Sequence, residues 1–145
     1  GLVARAYLQR HGATRVEREP ADARLHLELG QRLAELGQHE DAIKEFQQAR
    51  NSAELKVQAL YHAGLSFEAN GVNKLAERSY QDAIKATDPD DVAMQNALHY
   101  RLGRLAEHQG QLDLAEDHYN EVAANDYGYQ DIAARLKALN QRRES

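Results

Sequence analysis

Seven histidines, at positions 11, 26, 39, 62, 99, 108 and 118, are the side chains of this 145-residue chain best suited to metal or acid–base chemistry. A metal site built on one helix needs two imidazoles three or four residues apart, so that both point from the same face. No two of these histidines have that spacing. The serines lack the strand–turn–helix setting of a nucleophile elbow, and no glycine-rich loop follows a strand to cradle a phosphate. Cysteine is absent, which removes disulfides and thiolate metal sites. The carboxylates are numerous but spread over polar faces, where they serve as solvated surface. The expectation is a protein with no catalytic residues, no cofactor and no metal.

A different chemistry remains. Tyr61 and His62 form one aromatic pair, and Tyr100 stands beside Arg101 and close to Arg104. Tyrosine and arginine concentrate at binding hot spots. Two rings can hold apolar side chains of a ligand, and guanidinium groups fix its carboxylates through forked hydrogen bonds. The competing assignment has the tyrosines packed between neighbouring helical hairpins and the arginines paired with Glu68 or Glu107. The formal net charge of −5 and the lack of a basic stripe argue against nucleic acid. No apolar run is long enough to insert in a membrane, and the opening GLVARAYLQRHG lacks the apolar core of a signal peptide. A chain opening on glycine suggests a processed fragment. The lack of cysteine fits a cytoplasmic protein without excluding a secreted one.

The elements that must position these residues are helices. Alanine, leucine, glutamate, glutamine and arginine dominate, and there are only two prolines. Three stretches align without gaps: LELGQRLAELGQHEDAIKEFQQA at 27–49, YHAGLSFEANGVNKLAERSYQDA at 61–83, and YRLGRLAEHQGQLDLAEDHYNEV at 100–122. Each has a glycine, a second glycine seven residues on, an alanine five further and an aromatic four further. The sets are Gly30, Gly37, Ala42, Phe46; Gly64, Gly71, Ala76, Tyr80; and Gly103, Gly110, Ala115, Tyr119. The first glycine of each pair falls mid-helix on an apolar stripe, where a missing side chain lets a second helix approach. Its replacement by alanine is expected to be nearly neutral, propensity offsetting overpacking. The second ends the helix in a left-handed conformation. Each unit thus reads as an antiparallel helical hairpin.

This pattern, repeated at intervals of 34 and then 39 residues, resembles the tetratricopeptide repeat family over about residues 20–129. The family's large residue early in the first helix is His26, Leu60 and His99 here, so His26 and His99 suit a packing or interhelical role. The closing proline is missing after the first and third units, but Pro20 and Pro89 stand at such junctions. The resemblance implies an all-α, right-handed superhelical solenoid of three hairpins, at about 23–56, 57–90 and 96–129. A helical extension at 1–19 precedes them and a capping helix at 130–145 follows. It also implies a protein-interaction module that binds a peptide or protein segment on the concave face of its first helices. Carried over to this sequence, the groove places include Leu27 and Gln31; Tyr61, His62 and Leu65; and Tyr100, Arg101 and Arg104, with both arginines expected to be exposed. At the places where chaperone-tail binders of the family clamp a terminal carboxylate stand Leu27, Gln31, His62, Ala97 and Arg101, and Arg101 alone fits. The alternative is self-association through an open end or the convex face, with Leu2, Val3 and Tyr7 as adhesive, giving a weak homo-oligomer.

At the junction before the third unit, TDPDD at 87–91 is expected to open a helix at Pro89 with Asp88 as cap, running to Gln109. At the C-terminus, Ile132, Leu136 and Leu139 form the stripe of the capping helix. Lys137 stands where earlier units have their packing glycine.

Overall fold

The computed structural model describes residues 20–145, so the expected extension at 1–19, with Leu2, Val3 and Tyr7, lies outside the described residues. Seven helices and no strand occur among the described residues, which makes the fold all-α. They fall into two compact units divided between Ala86 and Thr87. Unit 1 holds α1 (Pro20–Glu35), α2 (His39–Ala49), α3 (Lys56–Ala69) and α4 (Asn73–Ala86). Unit 2 holds α5 (Val92–His108), α6 (Leu112–Asn125) and α7 (Ile132–Glu144). In unit 1 each helix packs on the next, and α1 also touches α3; in unit 2, α6 packs on both α5 and α7.

The three hairpin turns share one construction. Gly37, Gly71 and Gly110 have φ of +78°, +75° and +75°. After α3, the amide of Gly71 donates to the carbonyl of Glu68 at 2.9 Å and that of Val72 donates to Phe67 at 2.9 Å. After α5, Gly110 donates to Glu107 at 3.1 Å and Gln111 to Ala106 at 2.9 Å. This nested pair is the Schellman arrangement, which satisfies the last carbonyls of a helix and requires a left-handed residue at the turn. The next helix starts at once, because Ala76 and Ala115 donate back to Val72 and Gln111.

The mid-helix glycines serve the packing. A Cβ added to Gly30 would stand 2.5 Å from the Phe46 ring, and at Gly64 and Gly103 it would strike the rings of Tyr80 and Tyr119. Those rings are 1%, 0% and 0% exposed, so they have nowhere to retreat. This overturns the expectation that alanine would be nearly neutral. One methyl group already collides with the flat of a buried aromatic, and a propensity gain of about 1 kcal/mol cannot offset it.

A covariation inside the chain follows from the same contact. Twelve residues before each aromatic stand Ala34, Glu68 and Glu107. Tyr80 donates its hydroxyl to Glu68, and Tyr119 donates to Glu107 at 2.7 Å. Phe46 has no hydroxyl, and Ala34 in its unit has no carboxylate. A buried phenol needs an acceptor, whereas a buried phenyl ring would leave a carboxylate unpaired.

Histidines bridge the hairpins at a second recurring place. His26 Nδ1 bonds Glu45, and His99 Nδ1 lies 3.0 Å from His118 Nδ1, each pair nineteen residues apart; Leu60 and Ser79 take the same places in the middle unit. The interhelical role expected for His26 and His99 is therefore met. In the His99–His118 pair, burial holds both imidazoles below the ordinary histidine range; the His99 ring also disfavours a charge on His118, while Glu121 opposes the shift at both rings and Asp117 that at His118. At neutral pH one ring donates and the other accepts.

The unfolded chain takes up protons near about pH 6.5, and the folded chain only at lower pH. Stability should therefore be complete above that value and decline as pH falls below it. Melting temperatures measured from pH 8 to pH 5 should drop on the acid side, and His118→Asn should flatten the decline. An unchanged slope in that variant would assign the effect to other groups.

The entry to α5 differs from expectation. The helix begins at Val92 and ends at His108, not at Pro89 and Gln109. Asp88 Oδ1 accepts from the Asp90 amide at 2.8 Å, which builds a local turn, and Asp91 is the cap, accepting from Met94 N at 3.1 Å. Two aspartates competed for one role, and the turn consumed the first. With 17 residues against 14 in α3, α5 still carries about one extra turn of the longer spacing. At the other end of unit 2, Ile132 and Leu139 of α7 are fully buried against Tyr119 and Val122, and Lys137 is exposed.

Candidate peptide-binding surfaces

Unit 1 places Tyr61 and His62 side by side on α3, their rings in edge contact with centroids 5.4 Å apart. His62 stacks on Phe46 at 5.7 Å and its Nε2 bonds the Gln31 amide nitrogen at 3.1 Å. The half-buried imidazole is held below the ordinary histidine range by burial, so His62 is neutral at pH 7 and accepts from Gln31. Gln31, Tyr61 and Leu65 are half-buried. Leu27 is not on a surface. It is 3% exposed and belongs to the core with Ala23, Phe46 and Ala63, so its place in the expected groove set is withdrawn. Leu27 and Gln31 lie one helical turn apart on α1, and the packing of α1 against α2 and α3 covers the first.

Unit 2 places Tyr100, Arg101 and Arg104 on α5, all three half-buried, so the expected exposure of the two arginines is corrected; an arginine stem can be covered while its head stays in water. The Arg104 guanidinium lies 6.0 Å from the centroid of the Tyr100 ring. Tyr100 donates its hydroxyl to Asp131 Oδ1 at 2.6 Å, which with the nearby Arg135 and Arg104 holds that carboxyl below the usual range. Its ring also meets Tyr129 edge-on at 5.6 Å. Tyr100 is therefore fastened to the segment entering α7, a partner that no spacing within the repeats announced. Neither arginine expectation based on glutamates holds for Arg104: Glu68 receives Tyr80, and Glu107 receives Tyr119 and, at 3.4 Å, Arg135.

The two units repeat one aromatic geometry. Tyr61 leans on buried Tyr80 with centroids 6.2 Å apart and planes at 46°, and Tyr100 leans on buried Tyr119 at 6.2 Å and 45°. In each case a half-buried tyrosine of a first helix is braced by a fully buried one of the second. Packing of this kind locks the outer ring at little further entropic cost.

Among the described residues, no group of three or more histidines, aspartates and glutamates converges as a metal would require, and no helix is long and apolar enough to cross a membrane. Among curated proteins, none matches the sequence. A sequence model of the tetratricopeptide repeat matches three overlapping stretches, residues 3–56, 27–92 and 61–129. With the glycine turns, the aromatic seated on a mid-helix glycine and the paired helices in place, the chain belongs to the tetratricopeptide repeat family, whose helical hairpins serve as protein-interaction modules.

Proposed function

We propose that this domain binds a peptide or protein segment through the first helices of its repeats, on the concave face such helices line in the family, as a non-enzymatic part of a larger protein. Unit 1 contributes Gln31, Tyr61, His62 and Leu65, and unit 2 contributes Tyr100, Arg101 and Arg104. The observation that carries the reading is the braced tyrosine in each unit, Tyr61 on Tyr80 and Tyr100 on Tyr119, in one geometry. Rigid aromatic rings beside guanidinium groups are the composition of binding hot spots. The neutral state of His62 leaves the arginines as the source of charge, so the ligand carries apolar residues and at least one acidic group.

Retention of a partner by the purified domain, followed by calorimetry on parent and variant, tests this. Arg101→Ala combined with Arg104→Ala should weaken binding by roughly 2 kcal/mol or more if the two are hot spots. Tyr61→Ala should weaken it independently, through unit 1. Parent-like affinity in both variants removes the reading. Self-association through the outer face is the second reading. It is supported by Leu75, 45% exposed on α4 beside a cleft lined by Arg50, Arg78 and Asp82. Light scattering over a concentration series decides it, and a monomer at all concentrations rejects it.

A further inference from the structure

In unit 2 a cleft of about 290 Å³ between α5 and α7 is lined by Arg104, Glu107, His108, Arg135 and Arg142. Its one carboxylate is already engaged, since Glu107 accepts from Tyr119 at 2.7 Å and from Arg135 at 3.4 Å. Arg104 and Arg142 form no ion pair with any described residue, although Arg143, next in sequence, pairs with both Asp113 and Glu116. The Arg104 guanidinium donates to the Tyr100 hydroxyl, at 3.5 Å. Arg135 is paired, its Nε standing 3.0 Å from Asp131 Oδ2 and its Nη1 3.4 Å from Glu107 Oε1. Three arginines thus line one cleft, and two of them, Arg104 and Arg142, lack an ion pair, in a chain whose net charge is −5. Like charges are not gathered in this way for stability, because each repels the others and loses hydration.

We infer that this cleft is a phosphoryl-binding site that takes a phosphorylated serine or threonine side chain of a protein partner. Arg135 is neutralised by Asp131 and Glu107, which leaves the charges of Arg104 and Arg142 without an ion pair among the described residues. A phosphoryl group brings about −1.5 to −2 at neutral pH and three strong acceptor oxygens, which matches that surplus. A carboxylate brings a single charge and leaves one guanidinium unneutralised. The planar forks of arginine suit phosphate oxygens in pairs, which the point charge of lysine does not. The protein source of the group rests on the peptide-binding reading above, with which the cleft shares Arg104; the cleft's affinity for the group does not.

The test is a titration of the isotope-labelled chain, followed by amide and arginine Nε–Hε resonances, with three separate probes. These are N-acetyl-O-phosphoserine amide, N-acetylglutamate amide and inorganic phosphate. The phosphoserine probe should shift resonances of α5 and α7 saturably and bind at least about tenfold more tightly than the glutamate probe. Arg104→Gln with Arg142→Gln should lose at least about tenfold in affinity, whereas Lys137→Gln, an exposed cation of α7 outside the cleft, should bind as the parent does. Arg142→Gln alone, at an exposed position near the chain end, gives the same direction should the double variant melt early. Equal affinity for the glutamate probe, equal weakening by Lys137→Gln, or shifts that map elsewhere would each overturn the proposal. Tighter binding of inorganic phosphate than of phosphoserine would overturn the side-chain source and mark a free-ion site. A failure here leaves partner capture and the Tyr61→Ala result intact, so the two readings fall separately.

Discussion

Gly64→Leu should abolish cooperative folding of unit 1 or lower its melting temperature by more than any other single substitution in α3. The position faces the ring of Tyr80, which is 0% exposed and donates its hydroxyl to Glu68. Even the first carbon of a side chain at Gly64 collides with that ring. Leucine adds three further carbons, and separating α3 from α4 to admit them would strip Tyr80 of both its packing and its acceptor. Overpacking alone costs roughly 1–3 kcal/mol and occasionally more. Loss of the buried hydrogen bond adds about 1–3 kcal/mol. Gly64→Ala should lie between leucine and parent, net destabilising by about 1–2 kcal/mol once propensity is credited. Gly71→Ala should cost a similar roughly 1–2 kcal/mol for a different reason, since nothing crowds it but its φ of +75° disfavours any side chain. Thermal melts of the three variants check the order. Were Gly64→Leu to melt like the parent, close approach of the hairpin helices would not explain the glycine.

Removal of residues 130–145 should have the second large effect, confined to unit 2. Ile132 and Leu139 are each 0% exposed in the parent, and their loss uncovers Tyr119 and Val122. Each such side chain contributes about 1.5–3 kcal/mol by burial, so the two together give about 3–6 kcal/mol as an upper range. The truncation also removes Asp131 from the Tyr100 hydroxyl and Arg135 from Glu107. Glu107 would then hold only Tyr119, beside newly exposed apolar surface. The expected outcome is a lower melting temperature and concentration-dependent aggregation, measured by calorimetry and light scattering. A truncated chain that melts unchanged and stays monomeric would show α7 to be a dispensable tail.

The hairpins were legible in the sequence because their determinants are local. A left-handed turn residue, two nested hydrogen bonds and a new helix start all fall within about ten residues of Gly37, Gly71 and Gly110, and glycine alone adopts that turn without strain. The mid-helix glycines were legible as points of close approach, since the alanine and aromatic of the second helix recur at fixed distance from them. The sequence also placed Tyr61 and Tyr100 at equivalent positions of their helices. What it did not decide was which side-chain atoms meet. TDPDD suggested Asp88 as the cap, and the use of Asp91 instead depended on a turn closing first. Leu27 and Gln31 lie one helical turn apart, and only the seating of α1 against α2 and α3 separates a core residue from a surface one. The histidine pairs, the anchoring of Tyr100 by Asp131 thirty-one residues away and the convergence of Arg104 with Arg135 and Arg142 all join different helices. Periodicity along one helix specifies a face, but distance and direction between two faces come from how the helices cross, and that is set by the whole core.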